Sequence, residues 1–326
     1  MIAYKVWATI AADPKLSRAS GVGMKKSAFF FSKKLEQDDE QYRKMLEIQS
    51  AGVRGFQHTG SLIERYGINP DYECVDAYEH LAPIIDTDQA MTWLMELTRS
   101  KGAKFVTGTI EGDVFDSEIS LRRRYGADVI VNATGLSGLD LAKDKSCYPI
   151  RGGIIRVIND GRQFEKVDAA LCISAAARQN EFVFILPRSD RILLLGGISQ
   201  PHEWNLDLTL DSPEFQRMKG RCEDFLPRLK DARVDEEYPL AQGLRPFRGR
   251  NVRVERELRM QKVSSWDGDA NGHGHVNDGA FVASRIVHSY GHGGSGWSLS
   301  FGCARDLLKL VQEMLSEKTP RQMSME

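Results

Sequence analysis

Net charge is nearly absent from this chain. Lys and Arg number 44 against 45 Asp and Glu, which leaves −1 over 326 residues. A protein whose main partner is nucleic acid needs a local basic excess to meet the phosphates, so that class is set aside. Cysteine is scarce. Cys74, Cys147, Cys172, Cys222 and Cys303 are five in number, widely spaced, with no C-x-x-C pair. An odd, scattered set supports neither a disulfide framework nor a zinc site, and reads as reduced, buried thiols. No stretch nears the ~18 uninterrupted apolar residues of a membrane helix, and no membrane partner is expected. The opening MIAYKVWATIAADPK lacks the basic start and sustained apolar run of a secretory leader. The closing RQMSME lacks a Ser-Lys-Leu tripeptide. What remains is ordinary globular composition, 41% hydrophobic and 27% charged, enough for a sizeable core. The length suits two lobes or one large domain.

There is no internal repeat. Residues 36–50 read as a helix, with acids early and Gly52 beyond its end. Asp86-Thr87-Asp88-Gln89 has the form of a capping box, opening a helix with Met91, Leu94, Met95 and Thr98 along one stripe. KFVTGTI (104–110) reads as a strand, and ADVIVNATG (127–135) as a second. The unbroken Val129-Ile130-Val131 suits a central strand buried on both faces. The middle is rich in strands: 154–158, 181–186 and 191–195, with a turn at 187–190. Helical spacing returns over 212–230. Residues 264–279 read as a polar loop. The chain closes with an amphipathic helix, beginning about five residues beyond Ser298, in which Ala304, Leu307, Leu308, Val311, Met314 and Leu315 share a face. The expected class is mixed α/β: a Rossmann-like nucleotide-binding layer joined to a largely antiparallel sheet lobe.

Chemistry concentrates in a few places. His288-Ser289-Tyr290-Gly291-His292-Gly293-Gly294-Ser295-Gly296-Trp297-Ser298 has four glycines within six positions. Bare backbone N–H groups before a helix admit a bulky anionic or heteroaromatic ligand; a plain glycine turn is the alternative. Gly243-Leu244-Arg245-Pro246 puts a planar guanidinium beside a stiff residue, suited to gripping a carboxylate by two parallel hydrogen bonds; a surface arginine is the alternative. Val129–Gly135, Tyr148–Gly153 and Leu195-Gly196-Gly197 followed by Glu203-Trp204 are common strand-end patterns when taken singly. His273 and His275, with Asp267, Asp269 and Asp278, offer metal-binding atoms but read as solvated loop, and no metal is expected. Phe29-Phe30-Phe31 reads as core or as a channel wall.

In this order and spacing, ADVIVNATGL, PIRGG, the FILP…LLLGG…W stretch, GLRP and HSYGHGGSGWSLSFGCA resemble the D-amino-acid oxidase and D-aspartate oxidase family of FAD-dependent oxidoreductases. The resemblance runs from about residue 104 to the C-terminus and is weaker over 1–80. It implies FAD as cofactor, an amino acid or other amine as substrate, oxygen as acceptor, and a homodimer by analogy. It implies Arg245 as anchor of the substrate carboxylate and the Gly294 backbone carbonyl as acceptor for the substrate amine. Phe184 and Tyr290 belong to the substrate pocket. Thr134, Gly135 and Leu136, Arg151 and Gly152, and Gly293, Gly294, Ser295, Gly296, Trp297 and Ser298 lie along the cofactor. The expected division is a FAD-binding lobe of 86–147 with 254–326, and a substrate lobe of 1–85 with 148–253. A cytoplasmic or peroxisomal location is expected. The chemistry implied is oxidative deamination of a D-amino acid to a 2-oxo acid, with ammonia and hydrogen peroxide, by hydride transfer to flavin. Orientation supplies the catalysis, and the cofactor carries the hard chemistry.

Two departures stand out. The family pattern opens with strand, G-x-G-x-x-G and helix. Near the start of this chain the nearest segment, Gly21-Val22-Gly23-Met24, lacks the third glycine, so one β-α-β unit of about 30 residues or more is expected to be missing and the Rossmann-like layer incomplete. Phe184 stands where the family usually has Tyr, and no active-site tyrosine is evident at Asn180 or Ser199. A lost hydrogen bond to a charged group is worth about 1.5–3 kcal/mol. Two alternatives therefore stay open: a catalytically silent protein on the same fold, and an oxidase of another amine. An acidic substrate would call for a second cation, for which Arg178 and Arg188 are candidates.

Overall fold

Asp13 shows how local chemistry sets the first turns. Helix α1 (Ile2–Ala12) ends there, and its carboxylate caps α2 (Pro14–Ser20) by accepting from the N–H groups of Lys15 at 2.8 Å and Leu16 at 3.0 Å. Gly21, at φ +66°, closes α2 in the left-handed conformation and hands the chain to strand β1 (Val22–Phe31). Gly21 is thus a helix cap, and Gly23 lies within the strand. Next come α3 (Asp39–Ser50), β2 (Gln57–His58), α4 (Ser61–Arg65), β3 (Asp76–Ile85) and α5 (Thr87–Ser100). They are followed by α6 (Glu118–Tyr125), β4 (Ile130–Asn132), α7 (Gly138–Leu141), β5 (Cys147–Ile158), β6 (Ala170–Ile173) and β7 (Val183–Pro187). The chain continues through β8 (Ile192–Gly196), β9 (Gln200–Pro201), α8 (Pro213–Phe225) and β10 (Leu240–Arg248). Last are β11 (Arg253–Arg256), β12 (Met260–Gly268), β13 (Gly274–Ala283), β14 (Ile286–Tyr290) and α9 (Gly296–Ser316). The computed structural model describes residues 1–173, 182–268 and 274–317, and only the backbone over 263–268 and 274–280.

The chain divides into two compact units, 1–106 with 150–245 and 107–149 with 246–326. The first unit includes α5, which the sequence reading grouped with 86–147. Its sheet runs β5-β8-β7-β6-β1-β3-β2, with β10 beside β5 at one end and β9 also on β5. Most pairs are antiparallel, and β1 runs parallel to β6. The period of two sorts side chains between the faces. Ala28 and Phe30 of β1, Leu171 of β6, Ile185 of β7, Leu193 and Leu195 of β8, and Ile155 and Val157 of β5 form one face, each at most 1% exposed. Helix α8 covers that face with Phe215, Met218, Cys222 and Phe225, all completely buried. Gly153 lets the helix close down, because a methyl group there would lie 2.8 Å from the Phe215 ring. The opposite face carries Ile154, Phe184, Cys172 and Phe29, all half-buried.

In the second unit β14 pairs antiparallel with β11 and parallel with β4, and β12 and β13 form a hairpin. The structure corrects six local expectations. Residues 104–110 form no strand and are exposed throughout; the run has β-forming residues but no neighbour to pair with among the described residues. Val131 is 43% exposed, and β4 is the edge of its described sheet rather than its centre. Residues 264–268 and 274–279 belong to the β12–β13 ribbon instead of a loop. Helix α9 starts at Gly296, inside the glycine-rich segment. Leu307, Val311 and Met314 face inward as expected, but Ala304, Leu308 and Leu315 are exposed, while Cys303 and Leu310 complete the inner stripe. In α5, likewise, Met91 is 51% exposed and Ala90 is buried in its place.

Candidate active site

Arg245 stands on β10 and is half-buried. Its Nη1 donates to the Ile198 carbonyl at 3.1 Å. Its guanidinium lies over Gly152 of β5, in the space that a side chain at 152 would fill. Burial draws its pKa below the ordinary arginine value, yet a guanidinium stays protonated in proteins. Among the described residues no carboxylate pairs with it. A half-buried cation without a counter-ion is unfavourable unless an anion completes it, and a carboxylate matches its planar fork.

Arg151, next to Gly152, is 5% exposed and already engaged. It donates from Nε to Gln200 Oε1 at 2.7 Å, and from Nη1 to Asp207 Oδ1 at 2.6 Å and to the Asn205 carbonyl at 2.8 Å. Arg188 is likewise engaged, by Asp86 at 3.2 Å and Asp88 at 2.6 Å. Phe184 lies on β7 opposite Gly196, and its ring covers that glycine: a Cβ at 196 would be 3.0 Å from Phe184 Cδ1. Arg178, Asn180, Asp269 and His273 lie outside the described residues, as do the side chains of Asp267, His275 and Asp278.

The second unit brings together two turns that are 156 residues apart, an interval set by the contact between Asn132 and His288. Asn132 Oδ1 accepts from Thr134 N at 3.3 Å and Thr134 Oγ1 at 2.7 Å, which fixes the Thr134-Gly135-Leu136 turn. The Asn132 amide meets His288 Nδ1 at 3.3 Å, and His288 Nε2 meets Glu257 at 3.2 Å. His288 is completely buried, and sequence reasoning passed over both it and Asn132. Their one signal was sharing the quoted motifs with the glycines. Gly135, at φ +62°, has the Pro246 ring 3.5 Å from its would-be Cβ; Gly293, at φ +55°, has the Phe247 ring at 2.8 Å. Both turns therefore rest on consecutive residues at the end of β10; Gly293 has no room for a side chain, and at Gly135 the left-handed backbone rather than space disfavours one. The sequence GLRP marks that end.

Gly293, Gly294 and Ser295 form a single 3-10 turn, and Gly296, Trp297 and Ser298 begin α9. Ser295 gives the 21-residue helix no side-chain cap hydrogen bond, and the helix N-terminus carries partial positive charge. Burial lowers the pKa of His292, so its imidazole is neutral at pH 7. A glycine turn running into the N-terminus of a long helix suits the carbonyl-bearing flavin end of FAD, which residues among Gly293 to Ser298 could hold. Residues 1–106 hold no G-x-G-x-x-G turn; the pattern occurs among the described residues at Gly291, Gly293 and Gly296, between β14 and α9.

Tyr290, expected in the substrate pocket, is enclosed by side chains of the second unit. It is 1% exposed and packs with Leu139, Ala142 and Cys147. Arg253 Nη1 donates to its hydroxyl at 2.6 Å, and the hydroxyl donates to Asp144 Oδ2 at 3.0 Å. Burial pushes the phenol up to about 12. Asp144 also accepts from Arg248 at 2.7 Å and Ser146 at 2.5 Å. Burial alone would raise the Asp144 pKa, but these hydrogen bonds outweigh it and hold the carboxyl at about 2.

The first unit is a mixed sheet carrying an arginine that no carboxylate pairs among the described residues, and the second sets glycine turns against the start of a long helix. The family described as FAD dependent oxidoreductase (DAO) matches residues 18–310, and the chain belongs to that family. It is 32% identical over 244 residues to a D-amino-acid oxidase of Rubrobacter xylanophilus, covering 74% of this chain and 62% of that protein. It is 32% identical over 232 residues to a D-amino-acid oxidase of Streptomyces coelicolor, covering 70% of this chain and 58% of the other. The chain thus spans about three fifths of the length of these curated relatives. The glycine oxidase of Geobacillus kaustophilus shares the fold with a TM-score of 0.67 at 17% identity, covering 98% of this chain and 78% of that one. No described helix is long and apolar enough to cross a membrane.

Proposed function

We propose that this protein oxidises a D-amino acid to its 2-oxo acid, releasing ammonia and hydrogen peroxide. The observation that carries the reading is Arg245: a half-buried guanidinium over Gly152 with no carboxylate partner among the described residues. Its donors would take the substrate carboxylate, which fixes the position of the α-carbon. FAD, when bound, would supply the acceptor for the hydride of that carbon, with oxygen as the final electron acceptor. The amine acceptor at the Gly294 carbonyl and the contacts of Thr134, Gly135 and Leu136 belong to this proposal. So does Gly152, whose part is to leave room for the arginine. Relatives named D-amino-acid oxidase at 32% identity favour this substrate class. The experiment has two stages. The purified chain is mixed with FAD, desalted and examined by visible absorption; retained flavin supports the reading, and a colourless protein overturns it for this chain. Peroxide release from a panel of D-amino acids is then measured for the parent and Arg245→Ala. A loss of more than tenfold in kcat/KM is expected, and a smaller loss removes Arg245 as the anchor.

A further inference from the structure

A line of buried polar side chains runs through the second unit and ends at the Thr134-Gly135-Leu136 turn. Asp113, Glu257, His288 and Asn132 are each at most 7% exposed. Asn132 and His288 are directly opposed across the parallel strands β4 and β14, near the C-terminal ends of both. The two glycine turns leave the sheet at that same end, which is where open α/β sheets take their ligands. On the other side of β14, β11 runs antiparallel, and Glu257 just beyond it reaches the histidine.

The sense of each hydrogen bond follows by elimination. The Thr134 N–H can only donate, so the Asn132 atom it meets at 3.3 Å is the carbonyl oxygen; the Thr134 hydroxyl donates to the same atom at 2.7 Å. The other end of the amide is then its NH2 group, a donor only, and it meets His288 Nδ1 at 3.3 Å. Nδ1 must therefore accept, which leaves the ring proton on Nε2. Nε2 donates to Glu257 Oε2 at 3.2 Å. Glu257 also accepts from Arg259, at 2.8 Å from Nη2 and 3.0 Å from the backbone N–H. Burial alone would raise the Glu257 pKa, but the bonds from His288 and Arg259 outweigh it and hold the carboxyl below the usual range. Arg259 in turn donates to Asp113 at 2.5 Å and 3.2 Å.

A reversal at the histidine would be felt at the turn. With the proton on Nδ1, two donors would face each other across the Asn132 contact. Turning the amide over would then set its NH2 group against the Thr134 N–H, leaving a buried donor unsatisfied. One tautomer thus fixes the amide, and the amide fixes the turn.

We propose that His288 is a positioning residue of the cofactor site: with its proton on Nε2 it orients the Asn132 amide, and that amide holds the Thr134-Gly135-Leu136 turn in the shape that receives FAD. This rests on the reading of that turn as cofactor-facing. The imidazole is completely buried, so it acts through the turn and not by touching substrate.

The test has two readouts. Nitrogen NMR of the full chain, made with isotopically labelled histidine, gives the tautomer at neutral pH; the His288 signals are identified by their loss in His288→Asn. A protonated Nε2 and a bare Nδ1 are expected, and a proton on Nδ1 of the parent overturns the proposal. In Asn132→Asp the atom facing Nδ1 becomes an acceptor, so both ring nitrogens are expected to carry protons. An Nδ1 that stays bare in that variant also overturns the proposal. Fluorescence titration then gives the FAD dissociation constant of the parent, His288→Asn, His288→Gln and His288→Leu, with a urea midpoint for each. Asn puts its carbonyl where Nδ1 stood and still accepts from Asn132; Gln reaches towards Glu257 instead, and Leu does neither. Gln and Leu are expected to weaken FAD binding at least tenfold, and Asn less than threefold. If Leu binds FAD within threefold of the parent, or Asn weakens binding as much as Leu, His288 is removed as the positioning residue while the turn keeps its reading. If the parent itself does not bind FAD, the cofactor reading of the turn fails and the proposal fails with it. The two NMR results decide the matter where Gln or Leu does not fold.

Discussion

Gly152 illustrates how a residue without a side chain can determine a site. The Arg245 guanidinium occupies the volume that a methyl group at 152 would need. The colliding atoms are the far end of a flexible side chain, so the arginine, rather than the strand, would move. Gly152→Ala is therefore expected to leave stability within about 1 kcal/mol while weakening 3-phenylpropanoate binding at least tenfold. Urea unfolding and calorimetry on the same preparation check the two halves of that expectation. An equal effect on a neutral probe such as indole would show that the methyl group disturbs the whole face and not the arginine alone.

At the scale of elements, the start of α5 ties a helix cap to a buried arginine. Asp86 accepts from the N–H groups of Asp88 at 3.2 Å and Gln89 at 3.3 Å, and from Arg188 Nε at 3.2 Å. The sequence pattern anticipated the cap. It also implied that the Gln89 side chain would return to Asp86, but Gln89 Nε2 donates to the carbonyls of Arg18 at 2.6 Å and Ala19 at 3.2 Å. A carbonyl pair at the end of α2 offers the amide two acceptors, which no pattern local to 86–89 contains. Asp86→Ala is expected to cost about 1–2 kcal/mol, the usual value of a cap, measured by urea unfolding. The phenylalanine triplet follows the same logic. Alternation was legible, so Phe30 had to oppose Phe29 and Phe31. Which side became core depended on α8, more than 180 residues away in the chain, closing on Phe30 through Phe225, with ring centroids 5.5 Å apart.

For the molecule as a whole, Asp144 contributes to acid sensitivity, together with Glu257 and Asp113, whose carboxyls, despite their burial, are also held below the usual range by hydrogen bonds. The folded pKa of Asp144, about 2, lies below the ordinary aspartate value. A depressed carboxylate contributes stability that is fully present above its unfolded pKa and is lost as pH falls toward the folded value. The contribution is about 2 kcal/mol. Unfolding free energy of the second unit is expected to be flat in this respect from pH 7 to about 4.5 and to fall between about pH 4 and 2. Asp144→Asn should flatten that decline, as read by the urea midpoint at each pH. If the variant and the parent decline in parallel, the Arg248 and Tyr290 bonds to Asp144 are not what depresses it.

By itself the sequence determined the composition class, the family, and the identity of the chemical groups. GLRP, the NATG turn and GHGGSG are short stretches whose backbone demands are local, so glycine and proline announce them without reference to the rest of the chain. Tertiary structure alone decided which of those groups remain available. Arg245, Arg151 and Arg188 look alike in the sequence, yet Arg151 and Arg188 meet acids and carbonyls from distant segments while Arg245 meets a glycine and one carbonyl. Tyr290 adjoins the glycines but is buried behind them by Arg253 and Asp144. Asn132 and His288 meet only through strand pairing, because register is set by contacts between segments and leaves no trace within any one of them.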